Sequence, residues 1–208
     1  MKTELSLQQT MLRAAGLLSL FVVVSVALLM AINWFTQPKI AEAERQALLQ
    51  TINQVMPAER YNNDLLADYK TVIEPDFFDT DQPIQIYRAR LDNQPAGLVI
   101  ETIAPNGYSG NIYILVGVLP NGHISGVRVL KHRETPGLGD KIELRKADWI
   151  LSFNGKNLTE DNAERWAVKR DRGEFDQFTG ATITPRAVVG AVRKTLEYVN
   201  QQGGTLYD

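Results

Sequence analysis

The sequence has no cysteine. That excludes disulfides, thiolate catalysis, thiolate-ligated iron–sulfur clusters and zinc–cysteine sites, and it leaves the redox compartment open. Histidine is almost as scarce: His123 and His132 are the only two, too few for a histidine-rich metal site, and no carboxylate cluster at metal spacing supplements them. No metal ligand is therefore assigned. A strong charge of either sign is also missing. Twenty-two Lys and Arg against 24 Asp and Glu leave a net charge of −2, which offers no broad basic surface and makes nucleic acid a poor partner. Glu134 has no second carboxylate to suggest paired-acid chemistry, and no Gly-x-Ser-x-Gly elbow surrounds Thr182, so no catalytic residue is named. Repeats and low-complexity tracts are absent.

What is present begins with a long apolar run. From Ala14 to Phe35 the chain carries no charge over twenty-two residues, enough helix at 1.5 Å per residue to cross roughly 30 Å of hydrocarbon. A buried core helix would be polar on one face, whereas Leu17 to Met30 is apolar nearly all round. A cleaved signal peptide would have a shorter core and small residues after it; Ile32, Asn33, Trp34 and Phe35 are bulky, so the segment reads as retained. Trp34 and Phe35 suit the headgroup region. Lys2 and Arg13 precede the span, while Lys39 is followed by Glu42 and Glu44, an imbalance that leaves the N-terminus in the cytoplasm. The expected order is a cytoplasmic N-terminus (1–13), a transmembrane helix in the lipid bilayer (14–35), a helical connector (36–80) and one domain on the far side (81–208). At 44% apolar and 22% charged residues, that domain can bury a core.

After Pro38, Ile40 to Met56 has helix-like spacing and reads as a helix lifting the domain off the bilayer. Asp64 to Asp81 is poorly periodic and reads as connector. Ile84 to Leu91 alternates like a strand, Asp92 to Gly97 turns, and Leu98 to Ile103 returns. Asn111 to Leu119 and His123 to Leu130 form a second pair around Pro120-Asn121-Gly122. Asp140 to Phe153 reads as a helix, Trp166 to Arg170 as a short strand, and the last helix opens at Thr184-Pro185, threonine as N-cap and proline in the first turn. The fold class is therefore α+β: an antiparallel β-meander of about four strands with segregated helices, preceded by one transmembrane helix.

Two stretches carry candidate chemistry. Asp176-Gln177-Phe178-Thr179-Gly180-Ala181-Thr182 lies directly before the last helix, where unpaired N–H groups and the helix dipole favour a phosphate. Gly180 lets the backbone turn or approach a ligand, Ala181 leaves space, and Thr182 offers a hydroxyl. A tight turn leading into a Thr-Pro helix start fits the same residues. Glu134-Thr135-Pro136-Gly137-Leu138-Gly139 is either a ligand-facing loop or a surface Pro-Gly turn, and the Gly-flanked Tyr108-Ser109 is either part of a site or a hairpin turn.

Taken together, Asp176, Thr179, Gly180, Ala181 and Thr182 resemble the Asp-x-x-Ser/Thr-Gly-Ala-Thr signature of FMN-binding domains, and Glu134 to Gly139 resembles the Glu-Thr-Pro-Gly-Leu-Gly segment of the same family. With an anchor in front, the chain resembles nearly end to end the G-subunit family of Rnf-type (also called Rsx) electron transport complexes. The resemblance implies FMN bound covalently by a phosphoester to Thr182, with Tyr108, Ser109 and Glu134 to Gly139 as a wall for the ring, Thr135 donating a hydrogen bond and the Gly137 and Gly139 amides approaching it. It also implies a flavin transferase for loading, other membrane subunits as partners, a bacterial inner-membrane location with a periplasmic domain, and electron carriage rather than separate substrate conversion. The corresponding subunit of a sodium-translocating quinone reductase is a related reading, for which this chain is short. A membrane-anchored binding or sensory module without electron transfer is the reading from another class.

Overall fold

The computed structural model describes residues 7–208; Lys2, read as a charge flanking the span, lies outside them. By contact the chain divides into one unit ending at Leu48 and a second over Leu49–Asp208. In the first, the described residues form a single helix, α1 (Leu7–Val55), which continues into the second. Its apolar side chains, among them Leu17, Phe21, Leu28 and Trp34, are exposed, and it is the one helix among the described residues long and apolar enough to cross a membrane. The helix expected over Ile40–Met56 is not separate. α1 runs through Pro38, whose ring sets a helix-compatible φ at the loss of one backbone bond. Just before it, the Thr36 hydroxyl donates back to the carbonyls of Ile32 (2.9 Å) and Asn33 (3.3 Å).

The second unit is built on five antiparallel strands in the order of the chain: β1 (Tyr69–Val72), β2 (Ile84–Leu91), β3 (Gln94–Gly107), β4 (Gly110–Val118) and β5 (Ile124–Lys131). A short helix, α2 (Pro75–Phe78), links β1 to β2, and α3 (Ile183–Gln202) is followed by a 3-10 turn at Gly203–Tyr207. This α+β meander has one strand more than expected. β1 lies in the stretch read as connector, and its pattern is nearly all exposed, so no alternation marks it in the sequence. The β2–β3 turn is Asp92-Asn93, both at positive φ (51° and 63°), the twist that two-residue hairpins favour.

Register aligns Ile86, Ile100, Val116 and Val127 across four strands. All four are buried in one core with Val188, Val189, Val192 and Leu196 of α3. Neighbouring positions point to the opposite face. There Val99, Gly117 and Gly126 line up, and the end of α1 lies on the two glycines: a Cβ on Gly126 would come within 2.9 Å of Val55 Cα, and one on Gly117 within 2.6 Å of the Val55 carbonyl oxygen. Ile52, Val55 and Met56 are buried accordingly.

Two expectations between β5 and α3 need correction. Asp140–Phe153 is not a helix but two 3-10 turns, Gly139–Ile142 and Asp148–Phe153, with Ala147 extended between them. The buried Asp140 carboxylate accepts the Gly137 N–H at 2.7 Å, and the extended Ala147 separates the two turns. Trp166–Arg170 is no strand either. Val168 makes a single bridge to Phe175, and Lys169–Asp171 is a 3-10 turn. This irregular region is held by aromatic packing: Phe153 stacks on Phe175 at 4.6 Å between centroids, and Trp149 meets Phe178 edge-on at 5.2 Å.

Candidate cofactor cleft

Three segments distant in sequence meet at the start of α3. The β3–β4 turn brings Tyr108, the loop after β5 brings Glu134, Thr135, Leu138 and Gly139, and the helix entry brings Gly180 to Thr184; together they line a cleft of about 320 Å³. That volume lies within the usual range for small-molecule sites.

The helix entry is set by a tight turn. The Ala181 N–H donates to the Phe178 carbonyl at 3.0 Å, and Gly180 takes φ +81°, a conformation that side-chain-bearing residues seldom adopt. The turn is anchored from below, because Phe178 is buried and Trp149 Nε1 donates to the Asp176 carbonyl at 2.7 Å. α3 then begins at Ile183 with Thr182 as its N-cap residue, two positions earlier than expected. Thr184 does not cap; it is buried, and its hydroxyl donates to Glu134 Oε2. Thr182 occupies the cap position, yet its side chain makes no capping bond. A half-buried hydroxyl on the cleft wall is thus left unused by the protein.

The loop after β5 is self-contained. The Leu138 and Gly139 N–H groups both donate to the Thr135 carbonyl at 3.1 Å, and the Gly137 N–H is taken by Asp140. These bonds hold the loop in shape without a ligand. The loop presents the Leu138 side chain and the exposed Thr135.

Behind the wall, Ser109 N–H donates to Glu134 Oε1 at 2.9 Å and the Glu134 N–H donates to His132 Nδ1 at 3.0 Å. His132 therefore carries its proton on Nε2, which lies 2.6 Å from Glu143 Oε1. Arg145 beside it holds the Glu143 carboxyl below the usual carboxylate range, against the upward pull of partial burial, and His132 adds to the lowering.

Most of the candidate residues line the cleft: Tyr108, Glu134, Thr135, Leu138, Gly139, Gly180, Ala181 and Thr182 are brought together, while Ser109 sits behind them. Pro136 and Gly137 are exposed outside the lining, Thr179 is exposed at the turn tip, and the Asp176 carboxylate pairs with Lys169 at 2.6 Å, also outside the lining. Two lining residues escaped sequence reasoning, Ile183 and Thr184. An isoleucine directly after Thr182 was the signal for the first; the second depends on a partner fifty residues away and left none.

The cleft fits FMN on its own geometry. Tyr108, Leu138 and Ile183 are 69%, 44% and 45% exposed, three apolar surfaces around one opening where a planar ring could bury them. The first turn of α3 offers the Ile183 and Thr184 amides for a phosphate, Pro185 having none. A Cβ on Gly180 would meet only Leu138 Cδ2, at 3.8 Å, so the approach to Thr182 is open.

Comparison with known proteins agrees with this geometry. Residues 107–197 match the family model described as FMN-binding domain, and residues 1–55 match the one described as RnfG N-terminal region. The G subunit of the ion-translocating oxidoreductase complex of Vibrio cholerae is 49% identical over 200 residues, covering 96% of this chain and 95% of its own. The proteins of the same name from Shewanella amazonensis and Pseudoalteromonas atlantica are 47% identical over 194 residues and 46% over 192, covering 93% and 92% of this chain and 90% and 89% of theirs. The apolar helix within the first matched region anchors the chain to a membrane. With both regions matched in order and nearly the whole length aligned, the chain belongs to the family formed by the G subunits of ion-translocating oxidoreductase complexes.

Proposed function

We propose that this chain is an electron-carrying flavoprotein subunit of a membrane-bound, ion-translocating oxidoreductase complex, and that its FMN is joined by a phosphoester to Thr182 Oγ1. The observation that carries the attachment point is the Thr182 hydroxyl: it stands at the cap position of α3, on the cleft wall, with no capping bond. The N-terminus of an α-helix carries about half a positive charge, so phosphate placed there is stabilised without a dedicated lysine. When bound, the flavin supplies reversible electron storage. The residues of the chain bind and orient it: the Ile183 and Thr184 amides are the donors available to the phosphate, and Tyr108 and Leu138 flank the opening. Thr135 is the hydroxyl donor on the loop side. A covalent tether keeps the cofactor on an open domain that would otherwise lose it by dilution.

We place the domain in the periplasm and the helix in the inner membrane on the strength of the family resemblance; Lys2 and Arg13 before the apolar run are matched by Lys39 and Arg45 after it. A flavin transferase on that side loads Thr182, and the remaining partners are the other membrane subunits of the complex. Peptide mass spectrometry of the full-length protein, co-expressed with a transferase, tests the reading. The expected result is one FMN less one water on the peptide containing Thr182, absent in Thr182→Ala. A bare Thr182 in wild-type protein exposed to an active transferase refutes it.

A further inference from the structure

Glu134 lines the cleft, but its carboxylate is engaged elsewhere. It is 5% exposed, and no lysine, arginine or histidine among the described residues forms an ion pair with it. Its two oxygens instead join the other two segments of the site: Oε1 accepts the Ser109 N–H of the β3–β4 turn, and Oε2 accepts the Thr184 hydroxyl in the first turn of α3. Its own N–H is fixed by His132 Nδ1.

Two glycines make room for this arrangement. A Cβ on Gly139 would stand 2.9 Å from Glu134 Oε2 and 2.8 Å from Thr184 Oγ1, and one on Gly107 would stand 3.0 Å from Glu134 Oε1. Buried carboxyl oxygens need hydrogen-bond partners. Here both partners come from segments that share nothing in sequence with the loop carrying it.

Resting on the flavoprotein reading above, we propose that Glu134 is a positioning residue: through Ser109 and Thr184 it locks the three walls of the cleft together. It thereby fixes the start of α3, so that Thr182 presents its hydroxyl to the cleft as acceptor. Thr184 lies two residues beyond Thr182 on the same first turn, and whatever holds the one orients the other. Glutamine can replace the glutamate without breaking the tie. Its amide oxygen accepts from Ser109 N–H, and its NH2 donates to the Thr184 hydroxyl once that hydroxyl rotates to accept.

The test uses full-length wild type, Glu134→Ala, Glu134→Gln and Thr184→Val, each incubated with the transferase. The loading rate, the unfolding transition before loading and the fluorescence anisotropy of the loaded flavin are followed. Glu134→Ala is expected to load about tenfold more slowly and to carry a looser ring of lower anisotropy, as lost orientation of a reacting group implies. Glu134→Gln is expected to restore both, and Thr184→Val to follow Glu134→Ala. If Glu134→Ala loses its unfolding transition, Thr184→Val decides alone. Wild-type loading and anisotropy in Glu134→Ala or in Thr184→Val overturn the inference, as does a Glu134→Gln variant as impaired as Glu134→Ala. A wild-type protein that stays bare sinks the flavoprotein reading itself; a loaded wild type with an unaffected Glu134→Ala sinks only this inference.

Discussion

Gly139→Ala is the smallest change that tests how tightly the cleft is assembled. Gly139 is buried, and its N–H closes the loop turn onto Thr135. Its φ is not positive, so the methyl costs space rather than backbone strain. That methyl would stand 2.8 Å from Thr184 Oγ1 and 2.9 Å from both Glu134 Cβ and Oε2, and none of these is a free side-chain end. Either α3 retreats or the Glu134–Thr184 bond opens. Overpacking of this kind costs about 1–3 kcal/mol, and a hydrogen bond to a charged group about as much, so about 2 kcal/mol is expected whichever yields. In a unit of about 160 residues this is a fall of roughly 4–8 °C in the unfolding midpoint. Gly180→Ala is the control. Its methyl meets nothing nearer than 3.8 Å, but at a φ of +81° a left-handed alanine costs about 1–2 kcal/mol. Calorimetry of the detergent-solubilised variants, with flavin loading measured alongside, separates the two. Gly139→Ala should lose both stability and loading by crowding Glu134 and Thr184, and Gly180→Ala, at a residue that also lines the cleft, should lose stability by backbone strain at the turn. A Gly139→Ala protein that melts and loads like wild type would refute the packing account of the cleft.

Asp68 gives a pH signature. Its carboxylate accepts Arg88 Nε at 2.6 Å and Arg90 Nε at 2.8 Å; burial pulls its pKa upward, but Arg90 and Arg88 outweigh that and hold it below the ordinary value. A depressed pKa means that the stabilisation is complete above about pH 4, the unfolded value, and is lost as pH falls through the lower folded value. Asp68→Asn should therefore cost about 2 kcal/mol near neutrality, and its deficit in chemical denaturation should shrink below pH 4; a deficit that persists in acid contradicts the assignment. Thr182→Ala, beyond losing flavin, should leave the unloaded domain within about 0.5 kcal/mol of wild type, because no capping bond is lost, where an ordinary cap costs about 1 kcal/mol. Asp176→Ala removes only an exposed pair with Lys169, so its stability should stay within about 0.5 kcal/mol; any loading defect should raise the transferase KM rather than lower kcat, and a lowered kcat would place Asp176 in the cleft.

The sequence made legible what local patterns encode. Ile84 to Leu91 reads as a strand and has those bounds, with Ile84 and Ile86 buried on one face and Tyr87 and Ala89 on the other. The apolar run of α1 declares itself in the same way, whereas the turn read over Asp92 to Gly97 is only Asp92-Asn93, and Gln94 to Gly97 already belong to β3. What stayed hidden depends on partners far along the chain. β1 has no buried face to impose a period of two. The apolar residues of Asp140–Phe153 suggest a helix only until Asp140 is seen to be held by Gly137, after which Ile150 and Phe153 reach the core from a separate turn.

The start of α3 carries that lesson into the site. Thr184-Pro185 satisfies every local rule for a helix start, and a threonine there would ordinarily bond a backbone N–H. Glu134, fifty residues earlier, takes the Thr184 hydroxyl instead, and the helix starts earlier, with Thr182 at its cap. The consequence is chemical as well as geometric. Had Thr184 been the cap, Thr182 would lie in the preceding loop, outside the first-turn dipole. With the helix starting at Ile183, Thr182 stands where the field favours an anion, with its oxygen uncommitted. Pro185 at the third helical position has no N–H for Thr182 to cap, which leaves its hydroxyl uncommitted on the cleft wall, where the proposed phosphoester would form.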